Sequence, residues 1–242
     1  MLTTLRNAWR IPELRKKLIF TILIMLLYRI GNVIPVPYVN VDALGTFFNN
    51  KLSDTILGLY NAMSGSAFSQ ATILALSIQP YINASIIVQL LSIAIPAMER
   101  WSKEEGEEGK KKLNLVTRIG TVALGLLMGW AYYMMLLNSG AAIITDKSFL
   151  AALVIILTFT AGSAVVMWLG EQITEHGIGN GISMILFANI ISRLPAMAGT
   201  VVGMFPKLWW QALIVIVGVA ALVLLIIFVN DAERRIPVQY AK

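Results

Sequence analysis

The chain has no cysteine and a single histidine, His176. Disulfides and thiolate metal sites are therefore excluded, and one imidazole cannot build a histidine-based metal centre. Charge is scarce as well. Only 13% of the 242 residues are Asp, Glu, Lys or Arg, against roughly 25% in an average soluble domain. There is no Walker sequence, no His-Glu-x-x-His pair and no serine with an evident histidine partner. The residues thus offer no enzyme chemistry and no means of hydrolysing a nucleotide. Carboxylates are missing from the apolar runs: Asp42, Asp54, Asp146, Asp231, Glu171 and Glu175 fall in loops or at run ends. A carboxylate at the bilayer centre costs about 2.5–3.5 kcal/mol on insertion scales, so a transporter keeps there only those it uses. Their absence weakens an ion-coupled transporter.

What the chain has in excess is apolar surface. Hydrophobic residues make up 57% of it, more than a soluble core of this size can hide, so the chain needs lipid as its solvent. The first thirty or so positions imitate a secretory signal, with Arg6, Arg10, Arg15, Lys16 and Lys17 ahead of an apolar run from Leu18. That run continues past Arg29 to Pro35 with no small-residue cleavage site, so it reads as a retained first span. An all-α, polytopic transmembrane helix bundle of about six crossings is expected, at 18–37, 71–96, 119–138, 148–170, 177–192 and 208–230. Arg29 lies near the outer end of the first, where a long side chain reaches the interface. The fifth has only the residues between His176 and Arg193, about 24 Å of helix against a core about 30 Å thick.

Orientation follows from the basic residues. The N-terminus, the loop 99–118 and the C-terminal tail hold Arg6, Arg10, Arg15, Lys16, Lys17, Arg100, Lys103, Lys110, Lys111, Lys112, Arg118, Arg234, Arg235 and Lys242. The opposite loops hold Lys51, Lys147, Arg193 and Lys207. The basic side is the cytoplasm, which places both termini there. The net charge of +6 is therefore mainly a topology signal, with the remainder available to anionic lipid or to a cytoplasmic partner such as ribosomal RNA.

Three segments are unusual for lipid. Residues 55–70 are uncharged yet rich in Gly, Ser and Asn. Such a half-helix cannot face lipid; it is either a re-entrant element filling a pore or an external loop helix. Residues 76–91, LSIQPYINASIIVQLL, carry Gln79, Asn83, Ser85 and Gln89 beside a stripe of Ile78, Ile82 and Ile86. Pro80 frees the carbonyl of Leu76. The stretch is either interhelical glue or the wall of a pore with an apolar constriction. Residues 171–186, EQITEHGIGNGISMIL, place Gly177, Gly179 and Gly181 at the start of the short fifth span. They mark either a transport site built on a broken helix or close packing of small residues.

At these last two segments the chain resembles the SecY family, the central subunit of the bacterial protein-translocation channel. Residues 76–91 resemble its first signature and 168–186 its second. The tail ERRIPVQYA at 233–241 is similar to the start of its large cytoplasmic loop, and RIGNVIPVP at 29–37 to the close of its first span. The likeness covers essentially the whole chain. Departures are small: Ser77 stands where many members have Gly, Asn83 replaces a common Ser, and His176 occupies a position often basic. The large departure is length, since the family has ten spans in two inverted halves.

The resemblance implies one half of an inverted-repeat channel, 1–192, plus a sixth span and the start of a cytoplasmic loop, 193–242. It implies an hourglass pore with an apolar ring to which Ile78, Ile82, Ile86, Ile182 and Leu186 belong. It implies a plug made of Tyr60, Asn61, Ala62, Met63, Ser64, Gly65, Ser66, Ala67, Phe68 and Ser69. It also implies a lateral gate, its closed state stabilised by Gln89 and Asn180. The implied function is a passive conduit for secretion across, and insertion into, the cytoplasmic membrane of a bacterium. The implied partners are SecE and SecG-like small membrane subunits, the SecA ATPase or the ribosome, a translocating polypeptide with its signal sequence, and lipid. No cofactor is implied. The missing second half must come from a second chain, from the rest of a longer chain, or from a like half. The alternatives are a secondary transporter of small solutes and a purely structural membrane subunit.

Overall fold

The computed structural model describes residues 9, 11–139 and 143–232, without the side chains of 204–208. The tail motif at 233–241, the basic residues Arg6, Arg10, Arg234, Arg235 and Lys242, and the side chain of Lys207 lie outside the described residues. The chain divides into two units, Met1–Ser192 and Arg193–Lys242.

Helix α1, Pro12–Gly31, starts on a proline that its first turn accepts, with Glu13 at its positive end and Arg29 in its last turn. It does not reach Pro37. After Asn32 the chain becomes extended, because Pro35 and Pro37 donate no backbone bond and bias the residues before them away from helix. The extended piece pairs instead with 71–73: Val36 N–H donates to Ala71 O at 2.9 Å and Ile73 N–H to Ile34 O at 2.9 Å. Only positions 18–31 of α1 are apolar, about 21 Å of helix.

Helix α2, Val41–Lys51, is capped by Asn40, whose side chain accepts from Ala43 N–H, and buries Leu44 and Phe48. The short α3, Ile56–Met63, is capped by Thr55. Residues 64–78 then contain no regular helix. They are nonetheless enclosed, with Ala67, Phe68, Ala71, Leu74, Ala75, Leu76 and Ile78 buried. Irregular backbone at membrane depth is tolerated only when protein surrounds it in this way.

Helix α4, Gln79–Ala94, places Pro80 in its first turn, so the proline starts a helix rather than kinking one. The second expected crossing, 71–96, is therefore corrected to 16 residues of helix preceded by a folded strap. At Ile95 the chain bends by 102° into α5, Pro96–Lys103. Two long helices follow: α6, Gly106–Asn138, and α7, Phe149–His176, the latter capped by Ser148. Helix α8 is Gly181–Asn230. The loop expected between the fifth and sixth crossings is helical through Gly203.

Among the described residues four helices are long and apolar enough to cross a membrane: α6, α7, and the stretches Gly181–Gly203 and Trp209–Asn230 of α8. The bent pair α4–α5 makes a fifth if counted as one span. The expected first crossing, 18–37, is not among them, because α1 ends at Gly31 and carries Arg15, Lys16, Lys17 and Arg29.

Within Met1–Ser192, α6 and α7 pack through small residues. Thr117, Thr121, Gly125 and Gly129 recur every fourth position of α6 and are all buried. A Cβ on Gly125 would lie 2.9 Å from Ser163 Oγ of α7, so the two backbones are close. Gly181 allows a similar approach of α8 to α7, since a Cβ there would sit 1.9 Å from Gly170 O. Two apolar cores fill the unit. One gathers Val36, Leu44, Phe48, Phe68, Leu136 and Phe159. The other gathers Ile24, Leu74, Ile78, Val166, Ile173 and Ile185. In Arg193–Lys242 the stretch Trp209–Asn230 is exposed almost throughout.

Candidate functional site

The ring expected from the sequence largely converges. Ile78 and Ile82 arrive from the start of α4, and Ile182 and Leu186 from the start of α8, and all four pack on the second core. Ile78 has no exposed surface. Ile82, Ile182 and Leu186 are half-buried. Ile86, one turn further along α4, is 51% exposed and stands outside the cluster. The helix period explains the gradient, because a stripe spaced by four drifts across the face of a 3.6-residue helix.

The polar side chains of α4 do not glue it to the rest of this chain. Asn83 and Gln89 are exposed, Ser92 bonds its own helix at Gln89 O, and Gln79 reaches only Met63 Sδ at 3.5 Å. An uncharged helix that shows amides outward is unsuited to lipid and suited to a polypeptide or another polar wall. Asn180, expected at a gate, is the cap of α8: its Oδ1 accepts from Ile182 N–H at 3.0 Å and Ser183 N–H at 3.3 Å. Gln89 and Asn180 are both exposed, and neither side chain bonds the other.

The segment 60–69 is seated in the unit, not hung outside it. Tyr60 to Met63 end α3, and Ser64 to Ser69 form consecutive turns. The turns are braced by their own polar side chains. Asn61 Oδ1 accepts from Ser69 N–H at 2.9 Å, and Ser64 Oγ accepts from Phe68 N–H at 3.2 Å. Tyr60 donates its hydroxyl at 3.1 Å to Leu76 O, which also accepts from Gln79 N–H at 3.3 Å. Tyr132 of α6 donates to Phe68 O and stacks on the Phe68 ring at 4.4 Å between centroids. Of these residues, Ala62 and Met63 are half-buried, and Gly65 turns the chain with φ +66°.

Sequence reading missed two elements of the site. One is Asn189 on α8, wholly buried, whose Nδ2 donates to Met63 O at 2.8 Å and to Tyr28 Oη at 2.9 Å. Its signal was a lone amide in an apolar run. The other is the ion pair between Arg118 of α6 and Glu171 of α7. It is bidentate, at 3.0 and 2.9 Å, and closes one end of a polar cleft that Tyr81, Asn114 and Glu175 also line. Arg118 and Glu171 lie 53 positions apart, so no local pattern announces the pair.

The comparisons with known proteins agree on one family. A family model described as SecY matches residues 72–242. The chain is 43% identical over 254 residues to the protein translocase subunit SecY of Streptomyces scabiei, covering 100% of this chain and 58% of that protein. It is 41% identical over 254 residues to the subunit of the same name from Bacillus subtilis (strain 168), covering 100% and 57%. The chain thus spans little more than half the length of these relatives. Among solved structures it is similar to Sec61 in the canine ribosome–channel complex from the endoplasmic reticulum, with a TM-score of 0.62 at 17% identity, covering 92% of this chain and 49% of that one. It is also similar to a structure described as a protein conducting channel, at a TM-score of 0.53 and 18% identity over 85% and 42%. At those identities the likeness is one of fold.

Proposed function

The chain belongs to the SecY family, and on that footing we propose that it forms one wall of a protein-conducting channel in a bacterial cytoplasmic membrane. The observation that carries the reading is the meeting of Ile78, Ile82, Ile182 and Leu186 in one uncharged cluster, next to an enclosed and non-helical segment. Half-buried Ile82, Ile182 and Leu186 supply this chain's share of the ring, with Ile78 behind them and Ile86 a turn beyond. A ring of such side chains repels water and ions by dewetting and gives way to a passing polypeptide, to which it offers no fixed charge. Residues 60–69 are the plug. Gln89, exposed on α4, belongs to the gate edge, and Asn180 serves that edge by fixing the start of α8. The charged α5 and the Arg118–Glu171 end of α6 and α7 face the cytoplasm, as do both termini.

The energy comes from a partner on that side, the ribosome or the SecA ATPase, and the remaining wall from a second half. SecE and SecG-like subunits complete the membrane assembly. The transporter alternative finds no relative among those described above. The test is direct, since the chain has no cysteine of its own. In the complete channel, Ile82→Cys or Ile182→Cys crosslinks to a stalled translocating polypeptide. A reconstituted, active channel in which neither position crosslinks defeats the ring assignment.

A further inference from the structure

Around Asn189 lies a buried polar cluster that the ring and gate do not use. Asn189 Nδ2 faces three oxygens, Met63 O at 2.8 Å, Tyr28 Oη at 2.9 Å and Ser77 Oγ at 3.3 Å. Tyr28 Oη and Ser77 Oγ are themselves 3.0 Å apart. Asn32 Nδ2 approaches Asn189 Oδ1 from the other side at 3.5 Å. The orientation of the amide is decided by Met63 O, which only accepts, so the nitrogen must face it. One side chain thus joins α1, the start of α4, α8 and the last carbonyl of α3.

The turn it grips is strained. Gly65, next but one to Met63, has φ +66°, and the non-glycine residues Ser66, Ala71 and Ser77 have φ of 73°, 43° and 50°. Three such residues within twelve positions persist only where the surroundings hold them. The seat also leaves atoms unpaired. Arg29 Nη1 and Asn32 Oδ1 are buried with no hydrogen-bond partner among the described residues. Departure of the turn relieves the strain at Ser66 and uncovers Arg29 Nη1, which lies against Gly65. Two forces therefore oppose each other here, and Asn189 supplies the polar grip that crosses from α8 to the turn.

We propose that Asn189 is a positioning residue, a latch that keeps segment 60–69 seated in the resting state. The proposal rests on the reading of that segment as a plug. Its geometry predicts which changes release it. Asn189→Leu keeps much of the volume and removes the donors. Gly65→Ala acts from the opposite side of the contact, because a Cβ there meets Asn189 Oδ1 at 2.8 Å and Arg29 Nη1 at 2.9 Å.

The experiment uses the complete channel in proteoliposomes, with Ala67→Cys as a reporter, since Ala67 is 1% exposed in the seated segment. Ile173→Cys, at a wholly buried position of α7 in the second core, reports general loosening. Asn189→Leu raises the labelling rate of Ala67→Cys by a water-soluble thiol reagent about tenfold, as expected from losing one to two buried hydrogen bonds. It leaves Ile173→Cys protected and raises resting ion conductance. Gly65→Ala does the same, and the double variant is no more open than the more open single one, because both act on one contact. Unchanged labelling in both variants overturns the latch, and leaves the channel reading to the crosslinking at Ile82 and Ile182. Raised labelling with unchanged conductance supports the latch and counts against the plug. If Asn189→Leu also exposes Ile173→Cys, Gly65→Ala alone decides, and additivity of the two variants overturns the proposal.

Discussion

The α6–α7 pair and the strap from α3 to α4 lie side by side in one unit and are held by opposite means. Between α6 and α7, the buried threonine and serine hydroxyls are satisfied within their own helices. Thr117 donates to Leu113 O at 2.9 Å, Thr121 to Thr117 O at 2.7 Å, Thr160 to Ile156 O at 2.8 Å and Ser163 to Thr160 O at 2.8 Å. The interface itself is left to close packing of small groups, which does not depend on a particular hydrogen bond. In 56–78 the reverse holds. Outside the short α3 few backbone groups find helical partners, and side chains serve them, Tyr60, Asn61 and Ser64 from within the segment and Tyr132 and Asn189 from outside it. Regular helices packed on glycine and threonine make a frame. A strap held by individually removable bonds makes a part that can leave the frame without undoing it.

The largest expected effect comes where the two regions touch. A Cβ on Gly162 of α7 would lie 1.8 Å from Ile73 O, a backbone atom of the strap. Gly162→Ala cannot be absorbed by rotating a side chain, and it costs at least about 3 kcal/mol, at the upper end for overpacking. Thermal unfolding of the purified channel in detergent, followed by tryptophan fluorescence, measures it. A loss below about 1 kcal/mol refutes the close approach.

Next is Tyr132→Phe, which keeps the ring on Phe68 and removes the hydroxyl that donates to Phe68 O. Phe68 O keeps its bond from Ala71 N–H at 3.2 Å, so the cost is that of one lost hydrogen bond, about 1 kcal/mol. If the strap is the separable part, the loss appears first as easier proteolysis or thiol labelling within 60–69, before global unfolding. Simultaneous loss in both regions would erase the distinction between them.

Arg118→Gln tests the frame alone. The pair with Glu171 is partly solvated, the side chains being 50% and 21% exposed, so the loss is about 0.5–1 kcal/mol and shrinks in high salt. Labelling in 60–69 stays unchanged.

The smallest effect is the sharpest, because its sign differs between regions. Ala71→Gly relieves a backbone held at φ 43° and stabilises the seated strap by roughly 0.5 kcal/mol. The same exchange at Ala123, exposed on α6, destabilises by roughly 1 kcal/mol. Equal signs in paired unfolding curves would show that the strap carries no strain at Ala71.

The frame was legible in the sequence because its signal is local. Long uncharged runs bounded by Arg118, Asp146, Lys147 and Glu171 mark α6 and α7, and the glycines at 177–181 mark the close passage of α8 over α7. The strap was not legible, for physical reasons that can be named. Its shape depends on pairing with 34–36, more than thirty positions away, and no periodicity encodes such a partner. Pro80 is compatible both with a kinked helix and with a helix start, and only the strap before it selects the second. The end of α1 at Gly31 follows from the same pairing. For the ring, spacing and family likeness pointed to the positions that converge, but not to the burial gradient from Ile78 to Ile86. Asn189 escaped notice because attention to charge passes over amides, which insert into apolar helices at modest cost and act through geometry.

The right-angled turn at Ile95 bears on how α4 is able to move. In the proposed channel, helix α5, which leaves α4 at 102° and carries Glu99, Arg100 and Lys103, serves as an outrigger along the membrane surface. Driving α4 along its own axis into the bilayer would submerge these charges, at about 2.5–3.5 kcal/mol for each basic group. Swinging α4 sideways about Ile95 submerges none of them. The outrigger thus suppresses piston motion and leaves a hinge-like sweep in the membrane plane as the low-energy displacement of that wall.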